Sequence, residues 1–206
     1  MTRRVEAVYV VDDEPGVRKS LWRLLRSAGY EVSTFASAEE FLEQLVPDAE
    51  GCAILDVSMP GLDGLALQRA LAERSADLPV LFLTGRGDVP ASVKAMKAGA
   101  VDFLTKPVED RVLFEALRQA LERGQARRRE RRRLAEARER LEALTPRERE
   151  VLDGVVAGRL NKQIAGDLGI AEKTVKVHRA RVMEKLGASS VAELVRLADS
   201  AKPRSS

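Results

Sequence analysis

The sequence predicts an α/β doubly wound domain with a five-stranded parallel sheet, followed by a small all-α domain that contains a helix-turn-helix. Three observations favour this organisation. Short apolar runs alternate with amphipathic segments in the first half of the chain, the charge changes from acidic to basic along it, and two helices joined by a glycine-containing turn lie in the basic half.

Five short apolar runs have the length and composition of buried β-strands. They lie at residues 5–11, 31–34, 52–55, 80–83 and 101–104, and the second is the least apolar. Segments with helical periodicity or helix-capping residues separate them, at residues 17–28, after Ser37, after Asp63, and at residues 89–98 and 110–121. This alternation predicts a parallel sheet covered by helices on both faces.

The composition excludes several classes of protein. With 45% hydrophobic and 33% charged residues, the 206-residue chain has enough apolar material for a globular core. No apolar stretch approaches the roughly 18 residues that cross a bilayer, and the N-terminal sequence does not resemble a signal peptide, so we expect a cytoplasmic protein without a membrane segment. A single cysteine, Cys52, and a single histidine, His178, exclude an internal disulfide, a His-rich zinc site and a Cys/His hydrolase.

The net charge of +3 conceals a division along the chain. Residues 1–122 carry 14 basic and 20 acidic side chains, a net charge of −6. Residues 123–144 carry nine arginines and four glutamates, a net charge of +5, and residues 145–206 carry 12 basic and 8 acidic side chains, a net charge of +4. This division predicts two modules with different partners, and the partner of the second is expected to be a polyanion.

The arginine-rich segment, residues 123–144, joins the two modules. It lacks proline and is rich in helix-forming residues, and Leu134, Ala137, Leu141 and Leu144 recur at 3-4-3 spacing. The pattern fits a helix that continues the fifth one and carries a short coiled-coil seam, and it fits a flexible tether about as well. Gly124 is a candidate break or hinge.

A compact helical domain is predicted at residues 145–200, with a disordered tail at residues 201–206. Thr145 and Glu148 have the spacing of a capping box at the start of its first helix. Two helices joined by a turn at Gly169, in a basic segment, are a helix-turn-helix candidate. The helices after the first are predicted at residues 161–168, 172–186 and 190–198.

Polar side chains follow four of the five predicted strands. Asp12 and Asp13 follow the first, Asp56 the third, Thr84 the fourth and Lys106 the fifth. The carboxyl ends of parallel strands meet at one edge of the sheet, where α/β domains bind ligands. Three carboxylates held close together need a cation, and oxygen donors suit Mg²⁺. Asp56 is then a candidate nucleophile toward a phosphoryl group, with Lys106 and Thr84 holding its oxygens.

Residues 1–122 resemble the receiver domain of two-component response regulators, through the motifs VVDDEP, LDVSMPGLDGL, LTGRGD and AVDFLTKP in this order. The resemblance implies the sheet order 2-1-3-4-5 and phosphorylation of Asp56 by a sensor histidine kinase. It also implies that Lys106 and Thr84 bind the phosphoryl oxygens. The Mg²⁺ ligands that it implies are Asp12, Asp13, Asp56 and the backbone carbonyl of Ser58.

Three further residues gain a role only through this resemblance. The spacing of Phe103 favours plain core packing, whereas receivers carry a switch aromatic at this position. Lys106-Pro107 stands where receivers have a cis peptide bond. Trp22, if it is exposed, would belong to a kinase-docking face on the first helix.

The segment LTPREREVLDGVVAGRLNKQIAGDLGIAEKTVKVHRARVMEKLGASSVAELV resembles the LuxR-type helix-turn-helix of the NarL/FixJ response regulators, and the chain as a whole resembles their FixJ-like subgroup. The longer helix is expected to enter the major groove, with Lys176 and Val177 contacting bases. The residues expected to contact the DNA backbone are Lys173, Thr174, His178 and Arg181 on this helix, and Asn161 and Lys162 on the preceding one.

The sequence therefore predicts a phosphorylation-dependent DNA-binding transcriptional regulator that is not a turnover enzyme. Its expected partners are a sensor histidine kinase, promoter DNA and a second copy of the chain after phosphorylation, with RNA polymerase as a further candidate and no membrane. The alternatives are a phosphorylation-independent regulator, an adaptor whose basic half binds a protein or RNA, and an Mg²⁺-dependent phosphohydrolase. The last is disfavoured because Ser58 stands where a second catalytic acid would be needed.

Overall fold

The computed structural model describes residues 6–74, 78–85 and 89–201. The chain divides into two compact units, Met1–Arg128 and Arg129–Ser206. The strands are β1 (Ala7–Val11), β2 (Glu31–Phe35), β3 (Cys52–Leu55), β4 (Val80–Thr84) and β5 (Asp102–Thr105). The helices of the first unit are α1 (Pro15–Ser27), α2 (Ala38–Gln44), α3 (Gly64–Glu73), α4 (Val89–Lys97) and the start of α5 (Asp110–Glu142). Those of the second are α6 (Pro146–Val156), α7 (Asn161–Leu168), α8 (Glu172–Leu186) and α9 (Val191–Ala201).

The five strands form one parallel sheet in the order β2-β1-β3-β4-β5, which confirms the predicted fold and strand order. The bounds of some strands differ slightly from those predicted. β5 begins at Asp102 and ends at Thr105, one residue later than expected at each end, and β1 begins at Ala7. Residue 5, which we assigned to the first strand, lies outside the described residues.

The sheet of the first unit is covered on both faces. One apolar cluster joins Leu25 of α1 and Leu117 of α5 to the sheet, and the other joins Phe41 of α2, Leu67 of α3 and Ala95 of α4 to it. Burial on both faces explains why β3 and β4 are continuous apolar runs instead of alternating ones. Cys52 in β3 is fully buried, and burial raises the pKa of its thiol.

The second unit packs helices around its own apolar core. Thr145 Oγ1 accepts a hydrogen bond from the Glu148 amide at 3.3 Å, and Glu148 Oε2 accepts one from the Thr145 amide at 2.9 Å, so the predicted capping box is present. Val151 of α6, Ile164 of α7, Val175 of α8 and Leu194 of α9 meet in the core. Ala201, which we assigned to the C-terminal tail, is the last residue of α9, and residues 202–206 lie outside the described residues.

The arginine-rich segment is helical through residue 142. α5 runs without interruption over 33 residues, from Asp110 to Glu142, so Gly124 is not a break. A side chain at Gly124 would place its Cβ 2.7 Å from Pro79 Cγ. The prediction of a hinge was wrong, because the helix is uninterrupted there. Glycine is needed at this position because Pro79, in the loop before β4, packs closely against the helix backbone.

A Gly124→Ala variant is therefore expected to be less stable, although alanine is the better helix former. Overpacking against Pro79 costs about 1–3 kcal/mol, and the gain in helix propensity is about 1 kcal/mol, so the expected net loss is about 1 kcal/mol. Chemical denaturation followed by the fluorescence of Trp22, the only tryptophan, measures it.

Gly16→Ala is the matched control, because a Cβ at Gly16 in α1 meets nothing within 4 Å. This control is expected to be unchanged or more stable by up to about 1 kcal/mol. A Gly124→Ala variant as stable as the Gly16→Ala variant would contradict the packing argument.

In the described part of the chain, every helix is too short or too polar to span a lipid bilayer.

Candidate functional site

The predicted polar residues of the first unit gather at the carboxyl edge of its parallel sheet. Asp12 follows β1, Asp56 follows β3, Thr84 ends β4 and Lys106 follows β5. Asp12 is 2%, Asp56 6% and Thr84 1% exposed. Buried carboxylates require partners, because an unpaired charge in the interior is strongly destabilising.

Lys106 is the partner of both buried carboxylates. Its Nζ lies 2.7 Å from Asp12 Oδ2 and 3.0 Å from Asp56 Oδ1, with Glu14 Oε1 at 3.6 Å. A single ammonium group therefore bridges the ends of β1 and β3 from the end of β5. The structure brings together Asp12, Asp56 and Lys106 as the sequence predicted.

Burial and charge oppose each other within this group. Burial raises the pKa of Asp12, and the hydrogen bond from Lys106 only partly offsets the effect. Burial by itself would lower the pKa of Lys106, but its hydrogen bonds to Asp12 and Asp56 outweigh burial and raise it. The raised pKa of Lys106 keeps its ammonium group positively charged beside the two carboxylates.

Backbone groups and one arginine fix the two carboxylates. The Glu14 amide donates to Asp12 Oδ1 at 2.9 Å, and the Ser58 amide donates to Asp56 Oδ2 at 2.7 Å. Arg18 Nη1, one turn into α1, donates to the backbone carbonyl of Asp12 at 2.6 Å. We did not predict this contact, and the available signal was a cation in the first turns of the helix that follows the two aspartates.

The loop after Asp56 passes close to α3. A Cβ at Gly64, the first residue of α3, would lie 2.1 Å from the Asp56 backbone oxygen, which no side chain can tolerate. The Gly64 amide also donates to the carbonyl of Val57 at 3.1 Å. The glycine in the motif LDVSMPGLDGL thus allows the close packing that holds Asp56 in place.

Asp13 does not join the buried pair. Its side chain is exposed, as is Ser58, and within the described ranges no three Asp, Glu, His or Cys side chains are arranged to hold a metal ion. In the described structure Lys106 bridges Asp12 and Asp56, and the assignment of the three aspartates as Mg²⁺ ligands stays a prediction. The donors present are nevertheless carboxylate and carbonyl oxygens, which fit Mg²⁺.

Thr84 and Phe103 lie next to this pocket. The Lys106 amide donates to the Thr84 backbone carbonyl at 2.7 Å, which joins the ends of β4 and β5. Phe103 is partly buried, and its ring centroid lies 5.8 Å from that of Phe82. The Lys106-Pro107 peptide bond is cis, as expected.

α8 presents the side chains that were predicted to contact DNA. Val175, Val182 and Leu186 are buried in the core, as expected. Val177 is 45% exposed. Lys162 of α7 and Lys173, Thr174, Lys176 and Arg181 of α8 are exposed, whereas Asn161 and His178 are half-buried.

Two of these residues also make contacts within the protein. Asn161 Oδ1 accepts a hydrogen bond from Arg179 Nη1 at 3.0 Å, so it joins α7 to α8. Lys176 Nζ lies 3.3 Å from Glu172 Oε1 on the same helix. His178 Nδ1 is a buried atom for which the described structure provides no hydrogen-bond partner.

The end of α5 is joined to the last turn of α8. Arg140 Nη1 donates to the Leu186 carbonyl at 3.3 Å, and Lys185 Nζ donates to the Ala143 carbonyl at 3.2 Å. Leu141 and Leu144 pack into the core of the second unit. Two residues of the hypothetical coiled-coil seam therefore pack inside this chain and not against a second copy.

Lys185 also forms an ion pair with Glu148, at 2.7 Å. This hydrogen bond, and then the one from the Thr145 amide, lower the pKa of Glu148 to about 2 from an ordinary value of 4.5. Because the folded pKa is the lower one, the stabilisation is complete above about pH 4.5 and is lost as the pH falls toward 2.

A Glu148→Gln variant is accordingly expected to unfold more easily than the wild type at pH 7, with the difference disappearing near pH 2. Chemical denaturation followed by far-UV circular dichroism at several pH values measures that difference. Glu150→Gln is the control, because Glu150 is an exposed glutamate on the same helix. A Glu148→Gln deficit that is independent of pH would contradict the role of the ion pair.

Comparisons with known proteins assign a family to each of the two units. The family described as "Response regulator receiver domain" matches residues 8–118, and that described as "Bacterial regulatory proteins, luxR family" matches residues 142–198. Nodulation protein W of Bradyrhizobium diazoefficiens is 46% identical over 192 residues, which cover 93% of this chain and 85% of that protein. Transcriptional regulatory protein FixJ of Azorhizobium caulinodans is 47% identical over 191 residues, 93% of this chain and 90% of that protein.

A solved structure of similar length has the same architecture. The low-resolution structure of the response regulator StyR superposes with a TM-score of 0.85 at 47% sequence identity. The match covers 95% of this chain and 98% of that one.

Proposed function

Because this chain belongs to the NarL/FixJ family of response regulators, which combine a receiver with a LuxR-type DNA-binding domain, we propose that phosphorylation of Asp56 controls its binding to promoter DNA. The observation that carries the proposal is the bridge from Lys106 to Asp12 and Asp56. This bridge holds the Asp56 carboxylate at the edge of the sheet, beside a permanent positive charge.

In the proposed reaction, the Asp56 carboxylate attacks the phosphorus of a phosphohistidine in a sensor histidine kinase. An oxygen–phosphorus bond forms, the phosphorus–nitrogen bond breaks, and the histidine leaves. Lys106 then contacts the phosphoryl oxygens instead of Asp56, and the Thr84 hydroxyl contacts another of them. No second acid stands two residues after Asp56, which supports a single phosphoryl transfer and not continuous turnover.

Asp12, Asp13, Asp56 and the carbonyl of Ser58 are the residues that would hold Mg²⁺ in this reaction. Bound Mg²⁺ would offset the charge of the incoming phosphoryl group. Asp13 is exposed and follows Asp12 directly in the chain.

α1 offers a surface for the kinase. Trp22 is 44% exposed, and the Arg26 guanidinium lies 5.9 Å from its ring centroid. Arg18, Lys19 and Arg23 make the surrounding helix basic. An exposed aromatic residue among cations is typical of a binding surface, and we assign it to the histidine kinase.

α4 offers a surface for a second copy of the chain. Val89, Val93 and Met96 are 73%, 45% and 46% exposed and recur at helical spacing, so they form one apolar stripe. In our proposal, movement of Thr84 toward the phosphoryl group allows Phe103 to turn inward and reshapes this neighbouring surface, which promotes dimerisation. Two copies of α8 would then meet half-sites about one helical turn apart.

Genome-wide footprinting with and without acetyl phosphate tests the proposal. We expect protected promoter sites that become more occupied after phosphorylation, and no protection by a variant that carries both Lys176→Ala and Val177→Ala. Equal occupancy in both states would overturn the switch alone. The absence of protected sites at any salt concentration would overturn the DNA-binding function.

A further inference from the structure

Residues 129–140 of α5, here called the arginine arm, carry a dense run of positive charge. They contain six arginines and three glutamates, a net charge of +3 in 12 residues, and no lysine. All six arginines are exposed. Arg133 and Glu130 lie 4.0 Å apart, at the limit of an ion pair.

The arginine arm belongs to the same compact unit as α8. The unit begins at residue 129, and the arm ends where Arg140 donates to the carbonyl of Leu186, the last residue of α8. Leu141 and Leu144, which follow the arm, pack into the core of the unit. The arm is therefore a helical part of the DNA-binding unit.

Self-association explains the arm poorly. Continued toward the N-terminus at the same spacing, the face of the hypothetical seam takes in Glu130 and Arg127, so charged residues replace apolar ones there. Two parallel copies would bring arginines opposite arginines, which is repulsive. Of the apolar seam residues, Ala137 and Leu144 are buried and Leu134 and Leu141 are half-buried, and Leu141 and Leu144 already pack against the core of this chain.

Phosphate groups are the partner that fits the chemistry of the arm. Arginine binds phosphate through two parallel hydrogen bonds, and only arginine is used here. Twelve helical residues span about 18 Å, and the phosphates of one DNA strand follow each other at roughly 3.4 Å along the axis, so the arm can reach several of them.

We propose that the arginine arm is a second DNA-binding surface, which contacts the phosphate backbone of the duplex beside the site read by α8. The contact adds affinity without sequence preference. This inference rests on the proposed DNA-binding function and names a part of the surface that α7 and α8 do not provide.

The test compares binding of the full-length chain to a random-sequence duplex over a range of salt concentrations. Each arginine that meets a phosphate contributes about 0.9 to the slope of log affinity against log salt. The triple variant Arg129→Gln, Arg132→Gln, Arg133→Gln is expected to lower that slope by up to about 2.7 and to weaken binding at low salt at least about tenfold. The corresponding Arg→Lys variant is expected to keep most of the slope.

A matched control removes the same charge from the first part of the same helix. The variant Arg111→Gln, Arg118→Gln, Arg123→Gln is expected to bind with the wild-type slope. Circular dichroism verifies that both Gln variants retain the wild-type helix content. A wild-type slope in the arm variant would overturn the proposal, as would a loss of self-association without a change in slope.

The two proposals fail differently. A chain that binds no DNA under any condition refutes the proposed function itself. A chain that binds DNA through α8 with the same salt dependence in both triple variants refutes the arginine arm alone.

Discussion

An Asp56→Asn variant is expected to accept no phosphoryl group from acetyl phosphate or from a kinase, and to lose the increase in promoter binding that phosphorylation gives the wild type. The amide is not a nucleophile, and it cannot carry the charge that Lys106 now balances. Asparagine has almost the same shape and can still accept a hydrogen bond from the Ser58 amide, so the fold should persist. Phosphate-affinity electrophoresis and DNA-binding titrations measure the two effects.

Asp48→Asn is the matched control, since it makes the same chemical change on an exposed residue whose positive φ asparagine tolerates. This variant should be phosphorylated and bind DNA as the wild type does. The isolated DNA-binding fragment should begin at residue 129 instead of 145, because Leu141 and Leu144 belong to its core. Wild-type promoter binding by Asp56→Asn, with no response of either protein to acetyl phosphate, would overturn the switch.

A Lys106→Met variant should be both less stable and slower to phosphorylate. Removal of the ammonium leaves Asp12 and Asp56 buried without their shared partner, and breaking such a pair costs about 3 kcal/mol. Loss of a donor for the phosphoryl oxygens should reduce the phosphorylation rate by about a hundredfold. Denaturation in the presence of EDTA, followed by Trp22 fluorescence, measures the first effect, and acetyl phosphate kinetics the second.

Lys106→Arg is the comparison that separates charge from shape. It keeps the positive charge, so it should be more stable than Lys106→Met. Addition of Mg²⁺ should recover part of the stability lost by Lys106→Met, because a bound cation would replace some of the missing charge. A Lys106→Met variant as stable as the wild type in EDTA would show that the bridge does not hold the pocket together.

Local sequence patterns predicted most of the fold. The four-residue run at Cys52–Leu55 and the eight-residue helix at Asn161–Leu168 have the bounds expected of them. Short strands of a parallel sheet are recognisable because they are apolar on both faces. Strand ends are less certain, and β5 shifted by one residue because pairing with β4, and not the apolar run, determines where it begins.

The sequence predicted which residues form the candidate site more completely than it predicted how they are arranged. Asp12, Asp56, Thr84 and Lys106 converge because parallel strands end at one edge of the sheet. The bridge from Lys106 to Asp12 and Asp56 could not be predicted from local patterns, since it joins residues that lie far apart in the sequence. A residue 50 positions from Asp56 determines that arrangement.

Other errors had the same physical origin. The sequence around Gly124 shows a poor helix former, but only the distant Pro79 explains why a glycine is needed within α5. The spacing of Leu141 and Leu144 suggested a surface for a second chain, whereas α6, α8 and α9 supply an apolar core within the same chain. Local patterns predict which elements form, and contacts between distant residues decide how they are used.

The burial of Cys52 has a practical consequence for experiments on this protein. The only thiol of the chain is enclosed in a central strand, and burial keeps it in its protonated, unreactive form. Oxidants and maleimide reagents should therefore leave the folded wild type unmodified. A cysteine introduced on an exposed position would carry a fluorescent or spin label as a single reporter, without prior removal of the native thiol.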